Sequence, residues 1–118
     1  MVHREGSVLV TWEITQADRA GWQRQAVREL AAIIEDCAGL PLIAWTVGPA
    51  GPVLAGRVNG LLAAGQARAV FAAWRAALAL EESRERPGSG GTVFLLASAH
   101  RGGVKVRLTA TVFEEETQ

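Results

Sequence analysis

Three side chains that could bind a metal or act as a nucleophile stand far apart in this chain: His3, Cys37 and His100. A zinc site built from a short chain needs ligands in closely spaced pairs, and no such pairing occurs here. Cys37 falls on the apolar stripe of a predicted helix, where its thiolate is disfavoured and it reads as a small core residue. Ser98 and His100 lie two apart, on one side of a predicted strand, which brings a hydroxyl near an imidazole. Neither an orienting carboxylate nor a set of oxyanion donors accompanies them. Gly48, Gly51, Gly56 and Gly60 invite comparison with phosphate-cradling loops. Such loops sit between a strand and a helix N-terminus, whereas these glycines fall in a hairpin and its second strand. Gly60 to Gly65 does precede a helix, but no lysine or hydroxyl follows at the required positions. The chain is therefore read as having no catalytic residues, no metal site and no cofactor, and as a non-enzyme.

The bulk properties narrow the classes further. At 118 residues with 49% hydrophobic content, the chain is expected to form a single domain over 1–118, with short flexible termini at 1–6 and 114–118. A chain of this size buries about 65% of its unfolded surface without staples. Twelve basic residues balance twelve acidic ones, which counts against a sequence-independent nucleic-acid binder but leaves room for a local patch. Lys105 is the single lysine among the basic residues, so arginine reflects codon bias here and is weak evidence for phosphate recognition. One cysteine precludes an internal disulfide and fits a reducing compartment, and no apolar run reaches membrane-spanning length. A cytoplasmic protein is the expectation.

The elements that must position any site follow from hydrophobic period. Val8, Val10, Trp12 and Ile14 alternate with Leu9, Thr11 and Glu13, predicting a strand over Ser7–Ile14. Thr15 and Asp18 have the spacing of a capping box and open a helix. Its apolar stripe is Trp22, Ala26, Leu30, Ile33 and Cys37, widened by Val27, Ala31 and Ile34, and Gly39 and Pro41 end it. Strands over 42–47 and 53–58 flank a loop containing two glycines and two prolines. A second helix begins between Leu62 and Gln66, with Ala67, Val70, Phe71, Trp74, Ala77 and Leu78 as its stripe. The stretch from Ser83 to Gly91 reads as a mobile linker. A last hairpin pairs 92–99 with 104–113 around Arg101, Gly102 and Gly103.

The predicted order is β-α-β-β-α-β-β, an α+β two-layer sandwich. Two helices cover one face of a five-stranded, mainly antiparallel sheet. Its first six elements match the order of the ferredoxin-like split β-α-β arrangement, which would place the strands 5-4-1-3-2. Ala44-Trp45-Thr46-Val47, Gly56-Arg57-Val58-Asn59, Phe71 to Arg75 and Leu108 to Phe113 resemble segments of small α/β proteins of unknown function encoded in actinobacterial genomes. The resemblance implies no activity.

What remains is the sheet face that the helices leave open. With Val104, Val106, Leu108, Ala110 and Val112 as core, Lys105, Arg107, Thr109, Thr111 and Phe113 face outward. Two registers stay open for the first hairpin strand: either Ile43, Trp45 and Val47 face the helices, or Leu42, Ala44 and Thr46 do. In the 92–99 strand the set containing Phe94 or the set containing Leu95 must face out. One end of the open face is cationic and the other apolar, the mark of a partner surface. The expected function is a protein-interaction or self-association module, as a homodimer, using Thr46, Arg57, Lys105, Arg107, Thr109 and Thr111. Nucleic-acid binding through Arg57, Lys105 and Arg107 is the alternative, and a small-molecule binder or enzyme with a pocket between helix and sheet the second. No membrane partner is expected.

Overall fold

The computed structural model describes residues 15–48 and 51–114. The predicted strand Ser7–Ile14, with Trp12 and Glu13, lies outside the described residues, as do Pro49 and Ala50 of the hairpin loop. The helices are α1 (Gln16–Asp36) and α2 (Ala64–Ala77). The strands are β1 (Ala44–Val47), β2 (Val53–Arg57), β3 (Glu82–Pro87), β4 (Thr92–Arg101) and β5 (Val104–Phe113). They form one mixed sheet in the order β1-β2-β5-β4-β3, and β2 against β5 is its parallel pair. Both helices pack on one side, α1 over β1, β2 and β5 and α2 over β5, giving the expected α+β class with one open sheet face.

Two details of the expected topology are overturned. The stretch from Ser83, read as a linker because it holds no aliphatic residue, supplies most of β3, which pairs antiparallel with β4 from Glu82↔Ser98 to Pro87↔Val93. An edge strand has only one neighbour and no need of an apolar face, and its charges and proline discourage a further strand from adding there. The order 5-4-1-3-2 also fails, because the strands over 53–57 and 104–113 pair directly, with Leu54↔Val106 and Gly56↔Leu108. No strand separates them.

Local chemistry explains the element ends. Thr15 Oγ1 accepts from the Asp18 amide at 3.0 Å, while the Asp18 carboxylate accepts from the Thr15 amide at 3.2 Å, completing the expected capping box. The second helix ends differently, with Ala79 in a left-handed conformation (φ 52°). The Leu80 amide donates to the Arg75 carbonyl and the Ala79 amide to the Ala76 carbonyl, a Schellman closure that turns Leu80 into the core.

The core lies between the layers. It joins Leu54, Leu95, Ala97 and the five alternating β5 residues Val104 to Val112 with Ala26, Ile33, Ala67, Phe71, Trp74 and Leu78. Gly56 permits a close approach: a Cβ there would stand 3.0 Å from the Trp45 ring. That ring meets Trp74 edge to face, with centroids 5.8 Å apart, and Trp74 Nε1 donates to the Pro41 carbonyl at 2.7 Å. The buried stripe of α1 is narrower than its apolar sequence pattern. Val27 and Ile34 are 52% and 53% exposed, on the flank away from the buried Ala26 and Ile33.

Candidate functional site

Strand register decides which side chains share the open face. The pairs Trp45↔Gly56 and Val47↔Leu54 put Trp45 on the helix side and leave Ala44 and Thr46 outward. In β4, Leu95 and Ala97 are buried, so Phe94, Leu96 and Ser98 face outward. One row across the face then reads Thr46, Ala55, Arg107, Ser98 and Glu82, and the next reads Ala44, Arg57, Thr109, Leu96 and Arg84. Lys105 and His100 form a row at one end, with Thr111, Phe94 and Arg86 toward the other. All six expected contact residues, Thr46, Arg57, Lys105, Arg107, Thr109 and Thr111, therefore lie on one surface.

The sequence reading missed Arg84 and Arg86, because it took their strand for a linker. No local signal marks the strand, because Ser83, Arg84, Glu85 and Arg86 are all polar and exposed and show no apolar alternation. With Arg84 and Arg86 the face carries, among the described residues, five basic side chains (Arg57, Arg84, Arg86, Lys105 and Arg107) and one acidic one, Glu82. Among the described residues none of the five makes an ion pair. Phe94 and Phe113 are diagonal neighbours at the apolar end, 39% and 58% exposed, and the Arg86 guanidinium stands 6.0 Å from the Phe94 ring centroid.

The other side of the sheet treats its charges differently. Arg101 donates to Glu29 and to Asp36, tying the β4–β5 turn to α1, and Arg68 donates to Glu85 and Glu114, tying α2 to β3 and to the end of β5. Hydrogen bonding to Glu29 raises the pKa of Arg101, and bonding to Glu114 and Glu85 raises that of Arg68. The Arg68 hydrogen bond holds the Glu114 carboxyl below the usual carboxylate range. Glu114, expected in a leaving tail, is thus fastened down, and its amide also donates to the Gly91 carbonyl at 2.9 Å.

The candidate chemical groups do not converge. Cys37 lines a groove on the helix side and His100 projects from the open face, while His3 lies outside the described residues. Ser98 Oγ bonds Glu82 at a long 3.4 Å, and among the described residues no hydrogen bond joins Ser98 to His100. The cleft of about 540 Å³ beside them is bordered by Glu81, Glu82, Arg101 and Lys105, with no nucleophile–base relay. No helix among the described residues is long and apolar enough to cross a membrane. No protein-family model, curated protein or solved structure matches the chain.

Proposed function

We propose that the protein is a non-enzymatic interaction module whose open sheet face docks an acidic protein surface. The observation that carries this is the charge layout. In a chain with no net charge, the described residues concentrate five bases and one acid on the open sheet face, while four acids are held by Arg68 and Arg101 on the other side. Such segregation steers an anionic partner and fixes its orientation. The threonines between the bases supply hydroxyls for hydrogen bonds, and the Phe94–Phe113 end supplies apolar contact. The same layout counts against two copies meeting face to face, since each brings the same cationic surface. A cytoplasmic setting is part of this reading and rests on the lone cysteine.

A second reading, single-stranded nucleic acid, is favoured by one observation: Phe94, Phe113 and Arg86 sit together on the cationic face, where bases could stack. Fluorescence anisotropy with a labelled oligoglutamate peptide and a labelled single-stranded oligonucleotide separates the two. The expected result is peptide binding that weakens at least tenfold in Arg57→Glu/Arg107→Glu and changes little in Phe94→Ala. Tighter oligonucleotide binding that falls steeply with salt and is lost in Phe94→Ala would transfer the function to the second reading. If neither probe binds, the docking reading fails.

A further inference from the structure

We infer that the exposed flank of α1 is a homodimer interface, at which two copies pair their α1 helices antiparallel. This surface is separate from the open sheet face and does not depend on the docking reading. Ala20, Arg24, Val27, Ala31 and Ile34 follow one another at steps of four and three residues, the spacing of a helix–helix seam. They lie on the flank opposite Glu29 and Asp36, which are occupied with Arg101. Two large aliphatic side chains of this seam, Val27 at its middle and Ile34 at its C-terminal end, are half exposed. The seam continues past the helix end into an apolar groove of about 270 Å³ between Ile34, Cys37, Leu42, Trp45 and Trp74. Leu42 stands at its rim, 94% exposed.

The charges beside the seam select a second copy as the occupant. Arg24 lies within its N-terminal half and Glu35 beside its C-terminal half, while Arg28 stands close to the axis of such a pair, and among the described residues none of the three is in an ion pair. A two-fold axis near the middle of the helix sets Val27 against the partner copy's alanine at position 31, a small residue that lets the helices approach closely. The same axis brings Arg24 level with the other copy's glutamate at position 35, and both such pairs form at once because an isologous interface repeats every contact. It also sets Ile34 of one copy against the shallow concavity between Ala20, Gln23, Arg24 and Val27 of the other. A parallel pairing would place arginine against arginine and glutamate against glutamate. Because α1 lies on the helix side of the sheet, the dimer leaves both open faces outward.

Sedimentation equilibrium on the full chain tests this. The expected wild-type mass at tens of micromolar is twice the 12.5 kDa chain. Ile34→Glu, at an exposed position, is expected to give a monomer with an unchanged circular dichroism spectrum. Arg24→Glu alone and Glu35→Arg alone are each expected to weaken the dimer about tenfold, and the double swap to restore it to within about threefold, because it re-forms both pairs with signs reversed. The swap decides the matter even where Ile34→Glu perturbs folding. A wild type that stays at 12.5 kDa overturns the inference. So does a dimer that ignores these substitutions but dissociates in Arg57→Glu/Arg107→Glu. A monomer whose Val27 and Ile34 methyl resonances shift when residues 1–14 are removed would assign the seam to that segment, and overturn it too.

Discussion

The two faces of β5 differ in what their charges meet. On the helix side, Val104 to Val112 are closed over by α1 and α2, and the arginines at the margin, Arg68 and Arg101, are each clasped by two carboxylates. One residue along the same strand, Lys105 and Arg107 belong to a surface on which Glu82 is the one carboxylate among the described residues. A charge is cheap to place on a surface and gains little from one exposed partner, so pairing at the margin contributes modestly to stability. Five bases left together repel one another, and the proposed docking of an acidic partner rests on that layout. The contrast teaches that net charge describes the chain poorly here: zero overall is an acid-engaged side and a base-rich side added together.

The sharpest test uses neighbours. Leu108→Ala empties a fully buried site and is expected to destabilise by about 3 kcal/mol, whereas Thr109→Ala, facing outward, is expected to change stability by less than about 0.5 kcal/mol. Urea melts measure both. In the peptide-binding assay the order reverses, with Thr109→Ala the more damaging of the two per folded molecule. Equal losses of stability would mean that both faces of the sheet are covered.

This alternation was legible in the sequence, because β5 carries aliphatic residues at every second position and one register satisfies them all. The α1 cap was legible for the same reason, as Thr15 and Asp18 are a local signal needing no tertiary context. The strand order was not. Parallel pairing of β2 with β5 joins segments some fifty residues apart, and no local pattern records which strands meet. Nor was β3, since Glu-Ser-Arg-Glu-Arg-Pro has the composition of a loop and becomes a strand only because β4 offers it an edge. The register of β1 needed Gly56: both readings were open until the Trp45 ring was seen to require the space a Cβ would fill. The candidate surface was thus read in its centre and missed at its β3 margin, and the exposed flank of α1 was mistaken for core.

A smaller effect compares two arginines. Arg101 is one-third exposed and holds Glu29, whose side chain is 18% exposed, so Arg101→Ala leaves a partly buried carboxylate without its partner. About 1 kcal/mol of destabilisation is expected, against nearly none for Arg107→Ala. Denaturant midpoints separate the two, and binding of the acidic peptide is expected to fall for Arg107→Ala while staying near wild type for Arg101→Ala. Peptide binding that suffers equally in both would remove the distinction between clasped and available bases.

The least effect, and the most specific, is in acid. The Glu114 carboxyl is held below its ordinary pKa by the Arg68 hydrogen bond, with the Coulomb attraction of that arginine adding to it. A depressed folded-state pKa means that the unfolded chain binds the proton more readily, so the contact stabilises the fold at pH values above the unfolded value of about 4.3. That contribution is lost as pH falls through the folded-state value below it. The pKa of Arg68 is raised by the same contacts, so the arginine stays charged throughout and the titration belongs to the carboxylate. Glu114→Gln removes the titrating group while keeping the shape, and its deficit relative to wild type is expected to be present near pH 6 and to vanish on approach to pH 3. The control is Arg107→Gln, on the face whose bases make no ion pair among the described residues, which is expected to follow the wild-type acid profile unchanged. Thermal melts of the three proteins across this range provide the measurement. A Glu114→Gln deficit that persists undiminished at low pH would show that the Arg68 contact acts through shape rather than charge, and the clasped side of the molecule would then differ from the open side in packing alone.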